Sequence, residues 1–171
     1  MNTQREQKAN AEAELRFWTY GETVKARTYL RAIVNSLREH ALNLQSARVR
    51  LERVDSGPGR PDREALIQRA DAAREVEQAD RDFHETIHEL NALDVYCVDP
   101  ARGLAMIPFK KGNRLAWYVF DLFAPQGLVG WRFHSDPMEA RRPLAEQLDR
   151  RIVDEILSTR NADAAGEFRA A

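Results

Sequence analysis

The sequence predicts an α+β fold in which a long antiparallel helical hairpin packs at its base on a four- to five-stranded antiparallel β-meander, with a C-terminal helix added. Two long segments without proline, 20–54 and 62–93, repeat apolar residues at helical spacing and are separated by a segment rich in glycine and proline. After Leu93 the pattern changes to short runs of β-branched and aromatic residues between turn residues. A chain of 171 residues is expected to form one domain.

The chain divides into one folded domain between two polar ends. We expect the domain to be continuous because no low-complexity linker interrupts it. The expected segments are a flexible N-terminus at 1–14, a single domain at 15–158 with the hairpin at 20–93, the sheet at 94–134 and the C-terminal helix at 137–158, and a flexible tail at 159–171.

Composition argues against several classes of partner and compartment. The formal net charge is −1, so no overall basic field would attract nucleic acid or an anionic membrane, and neither partner is expected. The only cysteine, Cys97, cannot form an internal disulfide and is expected to be a buried, unreactive thiol in a reducing compartment. No segment has the length and apolarity of a signal peptide or membrane span, so a cytoplasmic location is expected.

The first helix has both a start signal and an apolar seam. Thr19 and Glu22 have the spacing of a capping box, in which each side chain accepts a backbone hydrogen bond near the other residue. Residues 16–18 before it are a candidate short strand. The seam consists of leucines at intervals of seven, with Val34 and Ala41 at the alternate position: Leu30, Leu37, Leu44 and Leu51.

The second helix follows the elbow at 55–61, where glycines and prolines end the first helix. Asp62 places a carboxylate at the positive end of the new helix dipole. The matching seam is predicted at Ala73, Val76, Phe83, Ile87 and Leu90, with Asp80 as its one charged member. Residues 20–54 contain seven basic and three acidic residues, and 62–93 contain four and nine, so opposite net charges favour pairing.

Four strands are predicted after the hairpin, at 94–98, 104–109, 114–123 and 128–134. The third strand is apolar on both faces, with Leu115, Trp117, Val119 and Phe123 on one side and the intervening residues on the other. Something must therefore cover each face. We expect the hairpin base to cover one face and the C-terminal helix, with its apolar side at Leu144, Leu148, Ile152 and Ile156, to cover the other.

The order of elements, together with several short strings, resembles a prokaryotic family known as domain of unknown function 2203. The resemblance covers about 17–144 and is specific over 93–144. The matching residues are Leu93, Asp99, Gly103, Leu104, Pro108, Trp117, Trp131, Arg141, Pro143 and Leu144. It implies the fold described above and, because fold does not determine chemistry, implies no activity.

This sequence departs from the family pattern at polar positions. Asp94 stands where the family has Gly, Val98 where it has Lys, Met106 where it has Asp, and Arg132 where it has His. Any polar site that the family shares would therefore be altered in this chain.

A metal-binding motif occurs on the second helix. His84, Glu85 and His88 match H-E-x-x-H, in which two histidines one turn apart hold a divalent metal and the glutamate activates its water; Asp94 could be a third ligand. The same residues are also explained as partly exposed positions beside the hairpin seam. Apart from this divalent metal, no cofactor is expected.

A second polar cluster is predicted at the far end of the sheet. Its members are Asp121, Arg132, His134, Asp136, Arg141 and Arg142. One interpretation is an anion- or carboxylate-binding pocket built on guanidinium groups. The other is an ion-pair network that holds the C-terminal segment on the sheet, with Asp136 accepting backbone hydrogen bonds.

Two functions from different classes remain open. The favoured one is a non-enzymatic protein-interaction or self-association module, in which the projecting hairpin binds a second copy or another helical protein. The alternative is a small metal-binding protein or metal-dependent hydrolase that uses His84, Glu85, His88 and Asp94. Asp80 is expected to fix the register of the hairpin by pairing with an arginine of the first helix.

Overall fold

The computed structural model describes residues 15–56 and 62–144. Three helices and four strands follow one another: α1 (Tyr20–Lys25), α2 (Arg27–Asp55), α3 (Arg63–Ala92), β1 (Tyr96–Asp99), β2 (Leu104–Lys111), β3 (Arg114–Asp121) and β4 (Leu128–Phe133). Helices α2 and α3 pack against each other, and the strands form one antiparallel sheet in the order β1-β2-β3-β4. The predicted α+β fold, a helical hairpin on a β-meander, is confirmed.

Both helix starts follow the predicted chemistry. The Thr19 Oγ1 accepts the Glu22 N–H at 3.2 Å, and the Glu22 carboxylate accepts the Thr19 N–H at 2.7 Å, which completes the capping box. The Asp62 carboxylate accepts the Ala65 N–H at 2.8 Å at the start of α3. The first helix was predicted as continuous, but a one-residue break at Ala26 divides α1 from α2.

The seam of α3 differs by one residue from the prediction at two positions. Ala72, Thr86 and Leu90 are the buried residues of this helix, whereas Ala73 and Ile87 are half-buried. With Ala72 and Thr86 as seam residues, the heptad position between them is residue 79, so Asp80 lies beside the seam. A charge in the seam would lose its hydration, so the shifted register avoids that cost.

The core lies between the sheet and the base of the hairpin. From the sheet it contains a row of aromatic rings in which Phe109 stacks on Tyr118 with centroids 4.0 Å apart. From the hairpin it contains Leu30, Leu37 and Leu90, which are 1%, 0% and 0% exposed. On the opposite side of the sheet, Met106 and Val119 are also buried, which agrees with the expectation that β3 is apolar on both faces.

The strand bounds differ from the prediction at several ends: β1 begins and ends later, β2 continues to Lys111, and β3 and β4 end earlier. Asp94 has a left-handed backbone with φ of 55°, so β1 begins after it. Strand β3 ends at Asp121, whose carboxylate accepts the Phe123 N–H and starts a turn. Phe123, predicted to lie on a buried face, is therefore 67% exposed. The turn needs Gly127 because its φ is 73° and a Cβ there would lie 2.6 Å from the Phe120 ring.

Residues 16–18 make one backbone hydrogen bond to strand β2 but do not form a strand. The Trp18 N–H donates to the Pro108 carbonyl at 2.8 Å, and the Trp18 indole N–H donates to the Leu93 carbonyl at 3.0 Å. The described sheet therefore has four strands, and this segment ties the start of α1 to the end of α3.

The chain after β4 does not begin a helix at 137 as predicted. Residues 137–140 form a turn, and Arg142 makes an isolated antiparallel bridge with Trp131. The rest of the predicted C-terminal helix, its apolar residues Leu148, Ile152 and Ile156, and the two predicted flexible ends lie outside the described residues. None of the helices in the described part of the chain is long and apolar enough to cross a membrane.

Candidate functional site

The hairpin continues well past the core that anchors it. We call residues 41–55 of α2 and 63–78 of α3 the distal half of the hairpin. The core contains no residue of this half. Its buried apolar side chains are Leu44, Ala47 and Ala72, so they are covered by the partner helix of the hairpin rather than by the sheet.

Large apolar side chains are exposed on the distal half. Val49 is 39% exposed, Leu66 is 51% exposed and Ile67 is 52% exposed. Leu51 and Val76 are only half-buried, whereas Leu37, the seam equivalent of Leu51 beside the sheet, is fully buried. Each of two paired helices covers only the side of the other helix that faces it. Among residues 15–56 and 62–144, no further layer covers the distal half.

Ion pairs connect the two helices along the distal half. Arg48 contacts Asp80 at 3.1 Å, as expected for a register-fixing pair, although Asp80 lies beside the seam. The other two pairs are Arg50 with Glu75 and Arg69 with Asp55. All these side chains are at least 41% exposed, so each pair contributes well under about 1 kcal/mol.

A polar layer that the sequence patterns missed separates the two halves of the hairpin. The His40 Nδ1 lies 2.9 Å from the Thr86 hydroxyl and 3.1 Å from the Asp82 carbonyl. The Thr86 hydroxyl also donates to the Asp82 carbonyl. Histidine and threonine do not contribute to an apolar repeat. Their contact could therefore be identified only from the register between α2 and α3.

The predicted metal ligands do not meet at one point. The His84 Nδ1 lies 2.8 Å from the Asp80 carbonyl, and His84, Glu85 and His88 are exposed on α3. Asp94 accepts hydrogen bonds from the Arg16 N–H and the Tyr96 hydroxyl instead. Within residues 15–56 and 62–144, no group of three or more His, Cys, Asp or Glu side chains could hold a metal ion.

The predicted polar cluster is assembled around Asp136. Its carboxylate accepts the Phe133 N–H at 2.9 Å and two hydrogen bonds from the Arg142 guanidinium at 3.1 and 3.4 Å. The hydrogen bond from Arg142, followed by that from Phe133, lowers the pKa of Asp136. This geometry matches the ion-pair interpretation, because it holds the segment after β4 against that strand.

The other members contact the same segment mainly through backbone groups. Arg132 is 7% exposed and donates to the His134 and Asp136 carbonyls and to the Met138 sulfur. Arg141 donates to the Met138 and Ala140 carbonyls.

His134 completes the cluster at its edge, where its Nδ1 accepts the Trp117 indole N–H at 3.1 Å. Asp121 does not belong to the cluster. Trp117 is the register partner of Arg132, and Asp121 lies four residues further along β3.

No protein-family model, no curated protein and no solved structure matches this chain. The resemblance to domain of unknown function 2203 therefore stays a prediction.

Proposed function

We propose that this protein is a non-enzymatic interaction module that self-associates through the distal half of its hairpin. The observation that carries this proposal is the exposure of Val49, Leu66 and Ile67 on a part of the hairpin that the sheet does not cover. Burying apolar surface contributes about 25 cal/mol per Å², so a second helical pair packed here would gain stability from side chains already in place.

A second copy of the chain is the occupant that the charges favour. Within the distal half, 41–55 contains three basic and two acidic residues, and 63–78 contains three basic and four acidic residues. If two hairpins pack antiparallel about a twofold axis, α2 of each lies against α3 of the other. The excess charges are then opposite, as they are within one hairpin.

We place this assembly in the cytoplasm. The support is the single cysteine, Cys97, which is half-buried and free, as is typical of a protein in a reducing compartment. No property of the proposed interface requires a cofactor.

The test is the molar mass in solution, measured by light scattering up to high concentration. We expect the wild type to approach twice the chain mass as concentration rises. Val49→Lys should return it to the monomer because a lysine ammonium would have to be desolvated in the interface.

Val24 provides a matched control, because it is also a helical valine 39% exposed but lies in α1 at the opposite end of the molecule. Val24→Lys should leave the dimer intact. A wild type that stays monomeric at the highest concentration, or a dimer that both substitutions disrupt equally, would contradict the proposal.

A further inference from the structure

An open groove lies between helix α2 and the turn that follows β3. Its volume is about 480 Å³. The residues that line it are Thr28, Arg31, Ala32 and Asn35 from α2 and Leu122 and Phe123 from the turn. None of them belongs to the distal half of the hairpin, so the groove is separate from the surface proposed for self-association.

The Phe123 ring forms an exposed apolar wall of this groove. It is 67% exposed, a higher fraction than for any other large apolar side chain of the described residues. The turn that carries it is held by Arg31, whose guanidinium donates to the Leu122, Ala124 and Pro125 carbonyls at 3.0, 2.8 and 3.2 Å. Because the turn is already fixed, covering Phe123 with a partner removes apolar surface from water at little cost in ordering.

A positioned guanidinium lies beside Phe123. The Arg38 Nε donates to the Ala101 carbonyl at 3.1 Å, and the centre of the guanidinium lies 5.2 Å from the centre of the Phe123 ring. The two terminal nitrogens of Arg38 make no hydrogen bond to the residues that the structure describes. Parallel N–H groups of this kind match the two oxygens of a carboxylate.

The carboxylates near the groove are engaged with other groups. Asp99 and Asp121 each accept a backbone N–H, and Glu39 accepts the side-chain amide of Asn35. Within 15–56 and 62–144, no carboxylate forms an ion pair with Arg38. The groove therefore places an apolar wall beside a guanidinium that is still able to bind a carboxylate.

We propose that this groove binds a short acidic segment of a partner protein, in which a large apolar side chain adjoins an aspartate or glutamate. The apolar side chain packs between α2 and Phe123, and the carboxylate accepts hydrogen bonds from the terminal nitrogens of Arg38. The guanidinium favours an acidic segment over a neutral or basic one, and the volume of the groove suits a few side chains rather than a folded domain.

The experiment screens the full chain against an array of short peptides that vary one central residue and its neighbours. The array includes overlapping peptides of this chain's own residues 145–171. We expect binding by peptides in which leucine, isoleucine or phenylalanine adjoins an acidic residue, and none when lysine replaces the acidic residue. Fluorescence anisotropy then gives the affinity of the tightest binder.

Arg38→Gln and Phe123→Ala should each lower this affinity at least about tenfold, because one removes charge-assisted hydrogen bonds and the other removes the apolar wall. Thermal unfolding of each variant verifies that it is folded. The matched controls are Arg81→Gln, which removes the same charge from an exposed arginine of α3, and Phe17→Ala, which removes a phenylalanine that contacts Lys110 near the other end of β2. Both controls should bind as the wild type does.

The proposal is overturned if no acidic peptide binds, if acidic and lysine-substituted peptides bind equally, or if the controls lose as much affinity as the matched variants. A lower molar mass in solution for Phe123→Ala would also overturn it, because the groove would then belong to a contact between copies of the chain. Tightest binding by a peptide from 145–171 would overturn it as well, since a segment of this chain would then be the occupant.

Discussion

Cys97, predicted to be buried, is half-buried, and its thiol connects sequence, packing and pH dependence. It lies in β1, where its Sγ donates to the Leu104 carbonyl at 3.3 Å. Desolvation raises the pKa of this thiol from 9.0 to about 11. The predicted unreactive state follows, because the thiolate is the nucleophile and this environment disfavours it.

Folded protein should therefore react slowly with iodoacetamide at neutral and mildly alkaline pH, and fast once unfolded in urea. The folded state holds the thiol proton more tightly than the unfolded state does. Its contribution to stability is thus complete below pH 9 and is lost as pH rises towards about 11. Urea unfolding at several pH values measures this loss. Cys97→Ala should show a smaller decrease over the same range, and an unchanged decrease would show that other groups cause it.

The two halves of the hairpin lie in different environments, and the burial of the seam leucines differs between them. Leu37 is fully buried beside the sheet, whereas Leu51 occupies an equivalent seam position and is half-buried. Removal of a buried side chain costs more when no solvent can fill the space that it leaves.

We expect Leu37→Ala to lower the free energy of unfolding by about 2–5 kcal/mol, the range for fully buried leucines. Leu51→Ala should cost less than half of that, because part of its surface is already in water. Urea unfolding of dilute protein, where self-association is negligible, gives both values. Equal costs would mean that the distal half is as well packed as the base.

The starts of α1 and α3 could be predicted more easily than the contact between α2 and α3. Capping by Thr19 and Asp62 depends on side chains within three residues, so the local sequence determines it. The seam of α3 depends on which residues α2 presents to it. Apolar spacing favoured Ile87, but packing buries Thr86 because its hydroxyl finds His40 across the hairpin. Periodicity carries no information about such a partner.

At the scale of the whole molecule, the sheet order was predictable because short turns connect consecutive strands. The attachment of the segment after β4 to the sheet was harder to predict, since it depends on the register that places Trp117 opposite Arg132 and on the bridge between Trp131 and Arg142. Part of this attachment was predicted as a cluster around Arg132 and Asp136.

The whole molecule should also show two levels of backbone protection. Amides of 30–37 and 86–92 lie beside the sheet core, so they should exchange hydrogen only when the fold opens globally. Amides of 44–55 and 63–75 belong to a helical pair that, within the described part of the chain, is stabilised by its own seam and exposed ion pairs, so in dilute protein they should exchange faster. Hydrogen exchange followed by mass spectrometry resolves these segments.

The same exchange measurement at several protein concentrations distinguishes a distal half that is intrinsically unstable from one that is stabilised by a second copy. If two hairpins associate, raising the concentration should slow exchange in 44–55 and 63–75 while leaving 30–37 unchanged, because only the distal half enters the interface. Val49→Lys should abolish this dependence and Val24→Lys should preserve it. Uniform protection along both helices at every concentration would contradict the difference in stability between the base and the distal half of the hairpin. It would also contradict the proposed interface, because a distal half that is already as protected as the base would gain no further protection from a second copy.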